Sequence, residues 1–216
     1  MKNDSIRIES LYKKFGAATV VRDVTVSFEQ GKIHGIIGRN GSGKTVLFKC
    51  ICGFVPISSG KIYVRNQQIG KDIDIPPNIG LLIESPGFLP AYSAYNNLKF
   101  LAKLQNKIGK ERICDTIRFV GLNPEDKKHV GKYSLGMRQR LGLAQAMMED
   151  PDILILDEPM NGLDKHGVQE IRNCLIHLRE QGKTILLASH NPQDIELLCD
   201  TVCEMDGGVL TTIRGF

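Results

Sequence analysis

Residues 33 to 52 read "IHGIIGRNGSGKTVLFKCIC", and no other stretch limits the fold so tightly. An apolar strand over Ile33–Ile37 runs into Gly38–Thr45, which fits the spacing G-x-x-x-x-G-K-[ST], and then into a helix from Thr45 to about Cys52. Each residue type has a physical use in that order. Gly38, Gly41 and Gly43, with Asn40 and Ser42 between them, let backbone N–H groups curl around a phosphate, and the helix N-terminus adds its positive end. Lys44 neutralises phosphate oxygens, and the Thr45 hydroxyl reaches Mg²⁺. The alternative is a glycine-rich turn that binds nothing, and the strand, loop and helix in sequence argue against it.

Three further apolar runs end on polar residues. "ILILDEP" holds the strand Ile153–Leu156, unbroken in the manner of a parallel strand buried on both faces, and it ends on Asp157 and Glu158. Side chains alternate along a strand, so the two acids are expected to diverge, one toward a metal and the other toward a water. In nucleoside triphosphatases with this kind of loop the metal falls to the position of Asp157. The strand Thr184–Ala188 leads to His190, Asn191 as an N-cap and Pro192 at the first helical position. His190 therefore sits at the carboxyl edge of the sheet, where open parallel sheets bind ligands. The third run, "IGLLIESPGFLP", places Glu84 where the strand Ile79–Ile83 leaves the core. A solvated strand end is the ordinary fate of such an acid; a role beside the phosphate loop is the sharper reading.

A chain of 216 residues can bury a substantial core and is compatible with one domain carrying an insertion. No apolar stretch approaches the roughly 18 to 20 residues a membrane helix needs, and "MKNDSIRIES" lacks the apolar centre of a signal peptide, so a cytosolic chain is expected. The six cysteines show neither CxxC spacing nor neighbouring histidines and read as reduced packing residues. Net charge is only +4. Between Ser85 and Val130, however, bases such as Lys99, Lys103 and Lys107 outnumber acids, either as a solvated helical face or as a surface for an anionic partner. In "KYSLGMRQRLGLAQAMMEDP", Ser134 caps a helix with Leu135, Leu141, Leu143, Ala144 and Met147 on an apolar face and Arg138 and Arg140 on the exposed one. In "AYSAYNNLKFLAKLQ", Tyr95, Leu98, Leu101, Ala102 and Gln105 recur at helical spacing as internal packing.

Taken together, these motifs resemble the ATP-binding subunit of an ATP-binding cassette (ABC) transporter over nearly the whole chain. Gly38–Thr45 resembles the Walker A loop, "YSLGMRQR" the family signature, "ILILDE" Walker B, "NGLD" at 161–164 the D-loop and His190 the switch histidine. "LYKKFG" is similar to the segment whose aromatic ring stacks on adenine, here Phe15, with Tyr12 three residues away. The resemblance implies ATP and Mg²⁺ as ligands and a head-to-tail homodimer on ATP binding. Each ATP would be held by the loop of one subunit and by Ser134 and Gly136 of the other. It implies Glu158 polarising the attacking water, His190 contacting the γ-phosphate, Asp164 linking the two sites, and Lys44, Thr45 and Asp157 carrying phosphate and metal.

The resemblance extends to a subgroup. Where the family usually has a metal-contacting glutamine this chain has Glu84, and "IESPGF" is similar to ATPases of bacitracin and lantibiotic export or immunity. The signature departs too, with Leu135 for a glycine and Met137 for a glutamine. Ionised Glu84 is expected to repel Asp157 and Glu158 when no metal is bound. Expected partners are membrane-spanning permease subunits, met by a groove around Glu84–Tyr92 with Phe88 and Tyr92, on the inner face of the membrane. No nucleic acid is expected: relatives that bind it carry a long coiled coil or two cassettes in one chain. Some members of the group are extended beyond the C-terminal strand pair. A regulatory or sensor ATPase that moves no cargo is the alternative function. The fold class expected is α/β: a P-loop NTPase core with a mostly parallel sheet, an N-terminal antiparallel β subdomain around Ile6–Ile8, Val24–Phe28 and Lys61–Arg65, and an inserted helical subdomain. The whole chain, 1–216, would be one domain, with 1–85 and 150–216 as core and 86–149 as the helical part. "TVCEMDGGVL" reads as two strands about a Gly-Gly turn.

Overall fold

The computed structural model describes residues 4–84 and 86–215. Its elements form two sheets. In the first, β1 (Asp4–Phe15), β2 (Ala18–Glu29), β4 (Ser59–Val64) and the short β5 (Gln67–Gln68) are antiparallel in the order β2, β1, β4, β5. The three expected strands are present, but β1 and β2 are longer than their hydrophobic alternation suggests. Register shifts at Ile8/Leu11, with Ser10 at φ 43°, break the period of two that a sequence pattern relies on.

The second sheet contains β3 (Ile33–Ile37), β6 (Ile79–Leu82), β7 (Ile153–Asp157), β8 (Thr184–Ala188), β9 (Thr201–Asp206) and β10 (Val209–Arg214), in the order β10, β9, β3, β8, β7, β6. All neighbours are parallel except β10, which turns back on β9 through Gly207 and Gly208. Order β3, β8, β7 brings the ends of three strands side by side, so the loop after β3, the acids at the end of β7 and His190 after β8 share one edge.

Helix α1 (Lys44–Ile51) lies between the sheets. Its Leu47, Phe48 and Ile51 are fully buried with Ile6, Ile8 and Phe28 of the first sheet and Ile153, Ile155 and Leu186 of the second. Leu154 and Leu156, the alternate residues of β7, are buried in a different core, with Leu141 and Leu143 of α4 (Leu135–Met147) and Leu175 of α5 (Lys165–Glu180). Two covered faces explain why β7 is apolar at every position. Between β6 and β7 run α2 (Ala94–Gln105), α3 (Lys110–Phe119) and α4, and α6 (Pro192–Leu198) follows β8. Among the described residues no helix is long and apolar enough to cross a membrane.

Three details correct the sequence reading. Leu135 is not part of the apolar face of α4 but 54% exposed, lying over Gly162. Arg140 does not mark an exposed side: its guanidinium donates to the Val120 carbonyl at 2.8 Å and to Glu170 at 2.5 Å. On α2, Gln105 is exposed and Asn97 is buried in its place, its amide accepting from Leu89 N at 2.8 Å and donating to the Leu89 and Ser93 carbonyls. Polar side chains that satisfy loop backbone can enter a core, which a hydrophobic period does not register. The cysteines pack as expected; burial pushes the Cys50 thiol up to about 11 and those of Cys52 and Cys199 up to about 12.

Candidate active site

The loop 38–45 borders a cavity of about 840 Å³ lined also by Glu84, Leu135, Gln139, Asp157 and Glu158. The loop closes only because glycine stands at fixed places. Gly38, Gly41 and Gly43 have φ of 147°, 80° and 112°, where side chains are strained. At Gly43 a Cβ would also meet the Val20 carbonyl at 2.8 Å. The first-turn amides of α1 have no intrahelical acceptor, so they are available to an anion at the cavity. Lys44 is buried, and its ammonium donates to the carbonyls of Gly38 at 2.7 Å and Arg39 at 3.2 Å, which holds it across the loop. The loop is tied to the β9–β10 turn by Gly208 N donating to Ser42 O at 3.1 Å. The buried Ser42 hydroxyl has no protein partner among the described residues, where buried hydroxyls ordinarily have one.

At the end of β7 the acids diverge as expected, but for a different reason. Asp157 is the last strand residue and accepts from the Thr45 hydroxyl at 2.6 Å. Glu158 lies beyond the strand at φ 52°, so a left-handed turn, not strand alternation, separates them. Its N–H donates to the Ala188 carbonyl at 3.0 Å, its carbonyl accepts from Gln139 Nε2 at 2.9 Å, and its carboxylate meets His190 Nδ1 at 2.8 Å. Three hydrogen bonds, with β8, α4 and the loop after β8, thus aim one carboxylate. The segment carrying His190 is anchored in turn, since the Ser189 hydroxyl donates at 3.2 Å to Asp194, itself buried and bridged by Arg172 at 2.5 Å.

Thr45 and Asp157 place two hard oxygen atoms within one hydrogen bond of each other, where they could serve a metal. Among the described residues no group of three or more acids, histidines or cysteines could hold a metal unaided. That donor set fits Mg²⁺, which is ordinarily held by one or two protein oxygens together with nucleotide phosphates. Glu84, at φ 59°, pairs with Lys49 at 2.6 Å. The expected repulsion from Asp157 and Glu158 left out this cation, which offsets the charge.

Other sequence candidates lie elsewhere. Phe15 ends β1, 49% exposed beneath the Lys13 ammonium at 4.4 Å from the ring centroid, and does not line the cavity, whereas Val20 of the same hairpin does. Ser134 caps α4 by accepting from Met137 N at 3.2 Å, and Asp164 caps α5 by accepting from Gly167 N at 2.8 Å. Gly136 sits against the Gly162 carbonyl, where a Cβ would come to 3.0 Å. These three residues are outside the cavity lining of their own chain. Phe88 packs against the core, while Tyr92 is exposed and meets Phe100 edge-on at 5.0 Å. Sequence reasoning missed Gln139 and Lys49. The second had a local signal, because it stands four residues after Thr45 on one helix.

Residues 21–161 match the family described as ABC transporter. The chain belongs to that family. This ABC transporter ATP-binding subunit is 42% identical over 207 residues to an uncharacterized ABC transporter ATP-binding protein, YybJ, of Bacillus subtilis, covering 96% of this chain and 95% of that one. It is 40% identical to the bacitracin transport ATP-binding protein BcrA of Enterococcus faecalis, covering 95% of this chain and 67% of that one. Identity to the lantibiotic transport ATP-binding protein SrtF of Streptococcus pyogenes is 36%, covering 91% and 85%. Among solved structures, the dimeric bacterial ABC transporter cassette MJ0796 superposes with a TM-score of 0.87 at 20% identity, covering 98% of this chain and all of that one, which speaks for the fold. The same cassette is known in a post-hydrolysis state bound to ADP and phosphate.

Proposed function

We propose that this ABC subunit hydrolyses ATP with Mg²⁺ and works with separate membrane-spanning subunits to move a peptide antibiotic, bacteriocin or similar compound, in export or immunity. The cargo class rests on relatives named for bacitracin and lantibiotic transport. The hydrolytic reading rests on one observation above all: Thr45–Asp157 at 2.6 Å stands beside Glu158–His190 at 2.8 Å on the same sheet edge. Lys44 and the loop amides would bind and orient the β- and γ-phosphates, and Thr45, Asp157 and Glu84 would face Mg²⁺. The metal, when bound, supplies charge stabilisation for the departing diphosphate. Glu158 would accept the hydrogen bond of the attacking water, and His190, already bonded to that carboxylate, would fix its direction and reach the γ-phosphate.

In a head-to-tail homodimer, Ser134 and Gly136 would close over the ATP of the facing subunit, with Asp164 between the two sites and Phe15 against adenine. Residues 86–149 would form the arm that meets the permease. The subunit would lie on the inner face of the membrane without crossing it.

The test is Mg²⁺-dependent ATPase activity of the purified chain as a function of its concentration, with Glu158→Gln as control. Activity should rise more steeply than linearly and fall at least about a hundredfold in the variant, the scale on which loss of a general base slows a reaction. Activity that survives in Glu158→Gln would refute the assignment of the base. Linear dependence on concentration would refute catalysis by the dimer.

A further inference from the structure

Thr45 and Lys49 are four residues apart on α1 and therefore lie on one face, about 6 Å apart along the axis. Each holds an acid at the carboxyl end of a parallel strand. Thr45 donates to Asp157, the last residue of β7, and Lys49 donates to Glu84, just after β6, both at 2.6 Å. The strands are neighbours, with Leu82 opposite Leu156, so Asp157 comes one residue and Glu84 two residues past that pair, and the two acids are tied to successive turns of the same helix. The second tie is an ion pair because residue 84 is an acid; a glutamine there could accept a hydrogen bond from Lys49 but would carry no charge.

We propose that Lys49 is a positioning residue for Glu84, holding its carboxylate a helical turn away from Thr45 and Asp157, and that binding of the magnesium–nucleotide complex draws Glu84 out of this pair. The proposal rests on Glu84 facing the metal. Both side chains are partly exposed, 31% for Lys49 and 62% for Glu84, and ion pairs in such surroundings are weak enough to exchange. Glu84 also opens the segment that leads into α2. The exchange therefore links what occupies the phosphate loop to the first residues of the helical arm. Lys49 makes this link without touching substrate.

The experiment is an equilibrium one, read by binding of a fluorescent ATP analogue during Mg²⁺ titration, in a Glu158→Gln chain that does not turn over. Lys49→Met frees Glu84 and should lower the Mg²⁺ concentration for half-maximal binding about fivefold, the scale an exposed ion pair supports. Lys49→Arg should keep the original midpoint, and it serves as a folded reference should the methionine variant melt early. With Glu84→Gln also present, Lys49→Met should shift the midpoint less than about twofold. An unchanged midpoint in Lys49→Met would overturn the proposal. So would an equal shift with and without Glu84, which would mean that Lys49 acts through its charge on the whole site. Analogue binding indifferent to Mg²⁺ in the parent chain would overturn the metal reading itself, and the latch with it.

Discussion

Gln139 is buried on α4, yet its amide reaches the carbonyl of Glu158 at 2.9 Å. Glu158 occupies a left-handed conformation at φ 52°, which costs a non-glycine residue about 1–3 kcal/mol and persists only where neighbours over-determine it. Gln139 is one of those neighbours, with the Ala188 carbonyl and His190. Replacing it by leucine leaves a carbonyl without its donor, at a cost of about 1 kcal/mol in how well Glu158 is aimed. Gln139→Leu is therefore expected to lower kcat for ATP about fivefold with little change in KM. Steady-state ATPase assays decide it; a change in KM alone would mean that Gln139 serves binding instead.

Among the elements, α5 and α6 are joined by the pair Arg172–Asp194, bonded through Nε at 2.8 Å and Nη2 at 2.5 Å with Asp194 only 2% exposed. Its second oxygen accepts from Ser189, whose hydroxyl also receives Asn191 N at 3.2 Å. The pair thus sets the course of the chain between β8 and α6, the stretch that carries His190. Removing one partner of a buried pair leaves an uncompensated charge, at about 3–5 kcal/mol. Arg172→Leu is expected to lower stability by that amount in urea denaturation. A loss under about 1 kcal/mol would show that the carboxylate is satisfied without Arg172. Neither residue is marked by its neighbours in sequence. Arg172 falls in a helix rich in polar residues and Asp194 in the first turn of another, where acids are common.

The whole molecule carries a pH dependence from a residue far from chemistry. His34 of β3 is fully buried, its ring within 2.7 Å of the Thr201 hydroxyl and 2.8 Å of the Glu29 carbonyl, and burial holds its pKa below the usual 6.5. The unfolded chain then takes up this proton at higher pH than the folded one. The associated stability is complete above pH 6.5 and is lost as pH falls from there through the lowered folded value. Melting temperature should drop between pH 7.5 and 5.5, and less steeply in His34→Gln. An identical slope in both would assign the effect to other groups.

What the linear order of residues settled was whatever depends on near neighbours. The phosphate loop closes over eight consecutive residues by its own glycine geometry, and Ser134, Asn191 and Pro192 start helices by bonds within one turn. The unbroken apolar run of β7 announced a buried parallel strand, because only a strand covered on both faces is apolar throughout. Tertiary structure alone decided the pairings made across a gap of tens of residues. Lys49 meets Glu84, Gln139 meets Glu158, and Arg140 turns inward to Glu170. Such partners are fixed by strand order and helix packing. A charged or polar side chain looks the same in sequence whether it faces water or another chain segment, so its partner is known only once the fold has brought the two together.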